Sequence, residues 1–342
     1  MNALDLPGKP GHARGLVDPG RRRGLKGLAG AGALMVLGAG RAQDAYPRKP
    51  VQVIVAYPPG GGTDTLARLI TAELGRHFGQ TFVVVNRPGA AGVIGTAIAA
   101  RAPADGYTLL LDTGNSTLRP VVEPRTTFKA DDFAPIALLT ESPIALVVTR
   151  DLPVGSISEL IAYTKANPGR ISYASTGAGS PQYMAAELLK ARRELDWVQV
   201  SYQGGAPALV DLIAGRVQVM FSNPVPLMPY FLDGRLNALA VTAAERLPAL
   251  GQVPTMAEQG VPDFQIGFWN GMLAPAGTPS AIVRQLSDAL LTILEMPQVI
   301  DSLAQQGSVR RPLGTNEFRP YMAADSERWK RIAKEIRYQP PV

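Results

Sequence analysis

The segment "AYPPGGGTDTLARLI", Ala56 to Ile70, holds three consecutive glycines between an apolar run and an amphipathic pattern. A glycine-rich turn from a strand into a helix lets the main chain come close to a ligand. The first N–H groups of a helix lack partners within the helix and carry partial positive charge, so such a turn can bind a small anion. A tight structural turn, with Thr63 or Asp64 as the helix N-cap, is the alternative. These residues alone leave both interpretations open.

The spacing of the glycines argues against a nucleotide phosphate. A Walker-type loop needs a lysine after its last glycine, whereas Gly62 is followed by Thr63 and Asp64. A dinucleotide fingerprint that began at Gly60 would need a small residue where Thr65 stands. The anion that suits this turn is therefore not a nucleotide.

The residues needed for common catalytic sites are scarce. The chain has no cysteine and two histidines, His12 and His77, which excludes the usual zinc arrangements. No G-x-S-x-G elbow occurs, and no two carboxylates are marked as a pair by their spacing. These observations favour a binding protein without metal or cofactor over an enzyme.

The first 45 residues predict a signal peptide and leader. "RRRGLK" is followed by the short apolar run "GLAGAGALMVLGAG" and by small residues suited to cleavage after Ala42 or Ala45. The run is shorter than the roughly 20 residues of a membrane span, so we expect a chain that does not span the membrane after cleavage. Export to the periplasm, by the Sec or the twin-arginine route, is the prediction.

The basic excess of the chain lies largely in that leader. Residues 1–45 contain seven basic and three acidic residues, a net charge of +4, so the formal +6 of the whole chain leaves +2 for residues 46–342. No basic stripe with interleaved aromatic residues occurs in the remainder. Nucleic-acid binding is therefore not expected.

From Tyr46 onward, β-branched runs alternate with amphipathic patterns, which predicts an α/β fold with parallel sheets covered by helices on both faces. Glycine-rich or polar loops follow the predicted strands, and ligands of open α/β sheets bind beyond those strand ends. Two sets of such loops predict two lobes that face each other across a cleft. The candidate ligand-binding residues in these loops are Pro58, Pro59, Gly60, Gly61, Gly62, Thr63, Asp64, Thr113, Asn115, Ser116, Thr176, Gly179, Ser180, Tyr202, Gly204 and Asn223.

An ordered set of motifs resembles one family across nearly all of the chain after Tyr46. The motifs are "YPRKPVQVIVAYPPGGGTDTLARLI", "VVVNRPGAAGVIGT", "APADGYTLLL", "DDFAPIALL", "ISYASTGAG", "ALVDLIAGRV", "VPTMAEQGVPDF" and "GMLAPAGTP". Their order and spacing are similar to those of the Bug-type solute receptors of tripartite tricarboxylate transporters.

The resemblance implies a type II periplasmic-binding-protein fold, in which two doubly wound lobes joined by hinge strands close over a small carboxylate. It implies lobe 1 at residues 46–142 with 265–342 and lobe 2 at residues 143–264. It also implies that the P-x-G-G-x-x-D loop, Pro58 to Asp64, helps to hold a ligand carboxylate. The expected partner is an inner-membrane permease, and neither a cofactor nor a reaction is expected.

Several positions near the expected cleft depart from the family pattern. Relatives often have a Ser-His pair where this chain has Ser180-Pro181-Gln182, and Y-K-G where it has Tyr202-Gln203-Gly204. Gln218 and Ser222 replace frequent aspartates, and Arg119 replaces a common asparagine. An enzyme or a ligand-sensing signalling partner on the same two-lobed scaffold is the alternative function; recovery of the bound ligand unchanged would argue against an enzyme.

Overall fold

The computed structural model describes residues 46–305 and 308–340, and the predicted signal peptide lies outside them. The strands are β1 (Val51–Val55), β2 (Phe82–Asn86), β3 (Thr108–Asp112), β4 (Phe133–Pro143), β5 (Ala145–Thr149), β6 (Ile171–Ser175), β7 (Trp197–Ser201), β8 (Val219–Ser222), β9 (Leu236–Val241), β10 (Gly267–Pro275) and β11 (Val309–Leu313). The helices are α1 (Gly62–Phe78), α2 (Val93–Ala100), α3 (Asn115–Val122), α4 (Ile157–Ala166), α5 (Pro181–Arg193), α6 (Gly205–Ile213), α7 (Met228–Leu232), α8 (Ser280–Leu294), α9 (Pro297–Gln305) and α10 (Thr315–Glu335).

The first sheet has six strands in the order β11-β4-β10-β3-β1-β2. Strand β1 is parallel to β2 and β3, as its continuous apolar run predicts. Strand β10 inserts between β3 and β4 and is antiparallel to both. The sheet is therefore mixed: the predicted parallel pairing holds for β1, β2 and β3 but is wrong for β10, because β10 enters after the chain has left this sheet rather than through a local β-α-β crossover.

The second sheet has five strands in the order β7-β6-β8-β5-β9. Strand β6 is parallel to β7 and β8, whereas β5 is antiparallel to β8 and β9. Its strands all come from residues 145–241, between β4 and β10 of the first sheet. Each sheet thus forms the centre of one lobe. The exact lobe limits at residues 143 and 264 stay a prediction.

The chain passes between the two sheets at Ile144 and again at Ile266, and a single buried threonine contacts both crossings. The amide of Ile144 donates to Thr242 Oγ1 at 3.0 Å, and the amide of Thr242 donates to the carbonyl of Ile144 at 2.8 Å. The Thr242 hydroxyl also lies within hydrogen-bond distance of the Ile144 and Ile266 carbonyls. These contacts place both crossings side by side.

Apolar packing covers both faces of the first sheet and joins it to the second lobe. Helices α1 and α8 pack on one face through a cluster that includes Ile70 and Leu290, and α2 and the start of α10 pack on the other. The second half of α3 and the end of α10 contribute Val122 and Trp329 to the core of the second lobe. Among the described residues, no helix combines the length and the apolar character needed to cross a membrane.

Two elements differ from the sequence-based expectations. The sequence predicts a loop at "GNST", but Asn115 begins helix α3, whose pattern is obscured by Pro120 inside the helix. The sequence also predicts only helices from Pro279 to Ile336, but this segment contains the edge strand β11, which pairs with β4. Two adjacent arginines and a proline, residues 310–312, leave that strand without an alternating apolar pattern.

Candidate functional site

A cavity of about 300 Å³ lies at the carboxyl ends of the strands, where a ligand of an α/β sheet is expected. Its walls come from both sheets and from the segments that join them. The lining residues are Tyr57, Gly62, Thr63, Leu66, Thr113, Ser142, Asn223, Phe268, Asn270 and Ser308. A wider depression of about 400 Å³ lies at the other end of α1, beside Gly79. Because it adjoins the C-terminal end of that helix, it offers no free helix amides to an anion.

The glycine-rich loop turns sharply at Gly60, whose φ of 86° lies in the left-handed region that favours glycine. Gly61 is the N-cap of α1 in extended conformation, with φ −81° and ψ 169°, and no side chain caps the helix. The alternative in which Thr63 or Asp64 is the helix N-cap is therefore wrong. The amides of Gly62 and Thr63 begin the helix without an acceptor in the described residues, and both residues line the cavity.

The space beside the loop glycines is empty of protein atoms. A Cβ built on Gly62 would meet nothing within 4 Å, and one on Gly61 would meet only the Pro58 carbonyl at 3.9 Å. Neither glycine is required by packing within the described chain. The open space and the uncapped amides together make this helix start accessible to an anion.

The Asp64 carboxylate is buried, is not part of the cavity wall, and holds the loop in place. It accepts hydrogen bonds from the Gly60 amide at 2.9 Å, from Asn86 Nδ2 at 2.9 Å and from both Nε and Nη2 of Arg68. The side-chain hydrogen bond from Arg68 and the backbone hydrogen bond from Gly60 lower the pKa of Asp64 to about 2. Because its negative charge is paired with Arg68, Asp64 leaves the neighbouring amides free to bind an anion.

The start of α3, which follows β3, is already occupied by a carboxylate of the chain itself. Asp112 accepts from the amides of Asn115 and Ser116 at 3.2 and 3.0 Å and from the Ser116 hydroxyl at 2.6 Å. Burial raises the pKa of the Asp112 carboxyl, which is only 2% exposed, despite these hydrogen bonds. Ser116 is thus fully buried against Asp112 and does not line the cavity.

Asn115 reaches the cavity through two residues that line it. Its Nδ2 donates to the Tyr57 hydroxyl at 3.1 Å, and that hydroxyl lies 3.1 Å from Thr113 Oγ1. Gly92 packs directly on this group, since a Cβ there would come within 2.1 Å of Asn115 Nδ2. Thr113 lines the cavity, whereas Asn115 supports the wall from behind; ligand binding by either residue stays a prediction.

The predicted residues of the second lobe fall into two groups. Asn223 lines the cavity, with its Oδ1 accepting from the Val225 amide at 3.0 Å. Thr176, Gly179, Ser180, Tyr202 and Gly204 do not line it. The Ser180 hydroxyl accepts from the Tyr183 amide as the N-cap of α5, and the Tyr202 hydroxyl donates to Asp211 at 2.8 Å.

Gln218 does not lie in the cleft, contrary to expectation. It precedes β8, and its side chain accepts from the Ser172 amide and donates to the Gly215 carbonyl. These partners are at the amino ends of β6 and β8, the edge opposite the cavity. The substitution of glutamine for aspartate at this position therefore belongs to the packing of the sheet rather than to the ligand.

Several lining residues are absent from the sequence-based predictions. Tyr57 lies two residues after the end of β1. Its position directly before "PPGGG" could have identified it as a candidate site residue from the sequence. Phe268 and Asn270 lie on β10, which reaches the cavity only because that strand inserts beside β3. Ser142 lies at the end of β4, next to the crossing between the sheets.

The cavity wall contains no formally charged side chain among the described residues. Its polar groups are hydroxyls, carboxamides and the main chain of the glycine loop. In the same part of the chain, no cluster of His, Asp and Glu could hold a metal ion. The arrangement offers hydrogen-bond donors to an anion and lacks a nucleophile beside a base.

Comparison with known proteins identifies the family. Residues 66–338 match the model of the TctC family, described as the tripartite tricarboxylate transporter family receptor. The chain belongs to this family. It is 36% identical to a UPF0065 protein from the tcbD-tcbE intergenic region of Pseudomonas sp. strain P51, over 94% of this chain and 96% of that protein. It is 35% identical to protein BugT of Bordetella pertussis, over 85% of this chain and 90% of BugT.

Solved structures of TctC-like proteins have the same two-sheet fold. Rpa4515 of R. palustris, solved with adipate, is 34% identical with a TM-score of 0.75, and the match covers 86% of this chain and all of Rpa4515. MatC of Rhodopseudomonas palustris, solved with bound malate, is 33% identical with a TM-score of 0.71, over 84% of this chain and 99% of MatC. The predicted fold class and family are confirmed by these matches.

Proposed function

We propose that this TctC-family chain captures a small organic carboxylate in the cavity at the start of α1 and presents it to an inner-membrane permease of a tripartite tricarboxylate-type transporter. The observation that carries the proposal is the uncapped N-terminus of α1, whose Gly62 and Thr63 amides open into a cavity without charged side chains among the described residues. A carboxylate is the small anion that such neutral donors suit. The acids bound by Rpa4515 and MatC agree with this choice.

The proposed contacts divide between main chain and side chains. The amides of Gly62 and Thr63 donate to the ligand carboxylate, while Thr63, Thr113 and Asn223 supply hydroxyl and carboxamide groups. Hydrogen bonds to a charged acceptor contribute about 1.5–3 kcal/mol each, so a few of them offset the loss of hydration of the carboxylate. Asp64 acts by holding the loop, because its own oxygens are already occupied by Gly60, Arg68 and Asn86.

The remaining predicted site residues act by shaping the loops around the cavity. Pro58, Pro59 and Gly60 form the turn before α1; Asn115 and Ser116 fix the wall behind Thr113. Thr176, Gly179, Ser180, Tyr202 and Gly204 belong to the strand-end loops of the second lobe, which closes over the bound acid. We further propose that the chain works in the periplasm after removal of residues 1–45, and that it catalyses no reaction.

The proposal is tested by thermal unfolding and calorimetry with a ligand panel. The protein is partly unfolded, dialysed and refolded to remove copurified ligand, then mixed with mono-, di- and tricarboxylates, their amides, neutral sugars and nucleotides. A ligand at about 100 times its dissociation constant stabilises the native state by about 2.7 kcal/mol, which raises the melting temperature by several degrees. We expect shifts with carboxylates and none with the matching amides. Shifts with sugars or nucleotides alone would overturn the proposal.

A further inference from the structure

The carboxylate of Asp325, in the middle of α10, is only 2% exposed and does not line the cavity. Its Oδ2 accepts from the Thr117 hydroxyl at 2.6 Å, from Trp269 Nε1 at 2.9 Å and from Trp329 Nε1 at 3.2 Å. Its Oδ1 accepts from the Arg328 guanidinium. These donors belong to α3, β10 and α10. Because the buried donors would lose their partner if the carboxylate were removed, Asp325 holds the three elements at fixed positions.

Helix α10 passes from the hydrophobic core of the first lobe to that of the second, and Asp325 lies where it passes. Before this residue, Phe318 and Met322 pack in the core of the first lobe. After it, Trp329 and Ile332 pack in the core of the second lobe. One helix therefore belongs to both lobes, and the buried carboxylate lies between the two sets of apolar contacts.

Helix α3 makes the same passage beside α10. Asn115 at its start supports the wall of the cavity, whereas Leu118 and Val122 pack in the core of the second lobe. Thr117 lies between them in the sequence and is fully buried. Its hydrogen bond to Asp325 therefore joins the two helices where both pass from one lobe to the other.

The indole of Trp269 connects the buried carboxylate to the cavity. Trp269 lies on β10 between Phe268 and Asn270, which both line the cavity. The backbone of Gly114 packs against the indole, since a Cβ on this glycine would be 3.1 Å from Trp269 Nε1. The preceding residue, Thr113, also lines the cavity. The position of this indole therefore affects two parts of the cavity wall, one on β10 and one in the loop before α3.

The carboxylate of Asp325 accepts from one indole of each core. Trp269 packs in the core of the first lobe and Trp329 in that of the second, and both donate to Oδ2. A single oxygen atom thus fixes the relative position of the two cores at this point. The main chain joins the lobes at the two crossings that Thr242 contacts. The contacts of Asp325 form a second connection between the lobes, built from side chains.

We propose that Asp325 is a positioning residue for ligand capture, which holds the two lobes in the arrangement that binds the ligand. It acts through Trp269 and Thr117 and does not touch the ligand. The inference rests on the proposed function, because it assumes that an acid held at Gly62 and Thr63 is also contacted by the second lobe. Loss of the carboxylate lowers the fraction of protein in the binding arrangement. Since the apparent affinity scales with that fraction, every acid should be weakened by the same factor.

The test compares the unmodified protein with Asp325→Asn and Thr117→Val. Calorimetry measures dissociation constants for acetate, pyruvate, malate, succinate, adipate, citrate and benzoate, well below the lowest melting temperature of the set. A carboxamide has a single acceptor oxygen, so asparagine cannot accept from both Arg328 and the three neutral donors. Valine has the shape of threonine without its hydroxyl, so Thr117→Val removes the connection to α3 and leaves the carboxylate in place.

The matched control is Glu187→Gln, which makes the same chemical change within a single lobe. Glu187 accepts from the Tyr173 hydroxyl at 2.6 Å and from Lys190 at 2.7 Å, and all three residues lie on β6 and α5 of the second lobe. Small-angle X-ray scattering of the ligand-free proteins adds a direct measure of the arrangement of the lobes.

We expect both carboxamide variants to have a lower melting temperature, but only Asp325→Asn to bind weakly. Its affinity should fall by about tenfold, by the same factor for each acid that binds the unmodified protein, and its ligand-free radius of gyration should be larger. Thr117→Val should show a uniform loss of about threefold, because one of the connections is removed. Glu187→Gln should stay within about twofold of the original affinity, since its contacts lie inside one lobe.

Other results would overturn the inference, and they separate it from the proposed function. If folded Asp325→Asn binds acids as the unmodified protein does, the carboxylate serves stability alone, and the carboxylate receptor stands. A loss that differs among the acids, or an unchanged radius of gyration, would also contradict a positioning role. If Asp325→Asn does not fold, unchanged affinity in Thr117→Val overturns the inference. If no carboxylate binds the unmodified protein and neutral sugars or nucleotides do, the proposed function itself fails.

Discussion

Two helix starts, those of α1 and α5, follow glycine-rich loops at strand ends in the two different lobes, yet they present different surfaces. Helix α1 begins after Gly61 without a capping side chain, so its first amides are free. Helix α5 begins after Ser180, whose hydroxyl accepts from the Tyr183 amide, and its first residue is Pro181, which has no amide hydrogen. The availability of amides to an anion is therefore decided by the residue at the N-cap and not by the number of glycines.

The glycines of the two loops also serve different purposes. Gly61 and Gly62 face open space, whereas Gly179 has a φ of 77° and is packed against Val122 and the Tyr338 hydroxyl. The loop before α1 leaves open space for a ligand. The corresponding space beside Gly179 is filled by atoms of α3 and of the C-terminal segment. The start of α3 resembles α5, because Asp112 occupies its amides.

The largest effect is expected when α1 is given a cap. Gly61→Asp should weaken carboxylate binding by about 100-fold or more, because the new carboxylate accepts from the free amides and repels the ligand. Calorimetry measures the loss, and thermal unfolding should show an unchanged or slightly raised melting temperature. Gly61→Ala is the control: its Cβ meets only the Pro58 carbonyl, and affinity should stay within about threefold of the original. Equal losses in both variants would show that the cap is irrelevant.

A second pair of variants tests the different packing of the glycines. Gly179→Ala should lower the free energy of unfolding by about 1–3 kcal/mol, because alanine is strained at positive φ and its Cβ lies 3.0 Å from Val122 and Tyr338. Gly62→Ala should leave stability unchanged or slightly higher, since its Cβ meets nothing. Denaturant unfolding compares the two, and a stable Gly179→Ala protein would contradict the packing explanation.

Acid titration tests the role of Asp64, whose pairing with Arg68 leaves the α1 amides free. The pKa of Asp64 is lowered to about 2 from 3.8, so the ionised carboxylate contributes stability above about pH 4 that is lost as the pH falls toward 2. After allowance for the exposure of Arg68, we expect this contribution to be about 1–2 kcal/mol. Asp64→Asn should be less stable at pH 7 by about that amount and should lose less stability across this window. If the free energy of unfolding falls in parallel with pH for the unmodified protein and for Asp64→Asn, the proposed contribution of the ionised Asp64 is contradicted.

The smallest effect is expected at the capped helix. Ser180→Ala should lower the free energy of unfolding by about 1 kcal/mol, the usual cost of losing an N-cap. Affinity for the carboxylate should change by less than about threefold, because the hydroxyl is occupied by Tyr183 and Gly177. A large loss of affinity with unchanged stability would mean that Ser180 contacts the ligand directly and that the contrast between the loops is weaker.

The sequence predicts those features that depend on short stretches of chain. The run "VQVIVAYPPGGGTDTLARLI" encodes β1, the turn and α1 in adjacent residues, and Thr63 and Thr113 lie where a strand-end loop predicts. The sequence does not predict features that depend on contacts between residues far apart in the chain. Asp64 is the clearest case, since its role follows from Asn86 and from the fold of the loop onto Arg68. Phe268 and Asn270 reach the cavity only through the order of strands in the sheet, which periodicity does not encode.

The position of β4 has a consequence for how the protein acquires its structure. Both neighbours of β4 in the first sheet, β10 and β11, come from the last quarter of the chain, while β4 itself ends at Pro143. During synthesis this long strand emerges with both of its edges unpaired, and it stays so until the whole second lobe and β10 have been made. The first lobe to begin is thus the last to be completed. A nascent chain arrested before Gly267 should have an incomplete first sheet in which the edges of β4 are unpaired. Such edges favour aggregation, so we expect this nascent chain to bind chaperones that recognise unfolded chains.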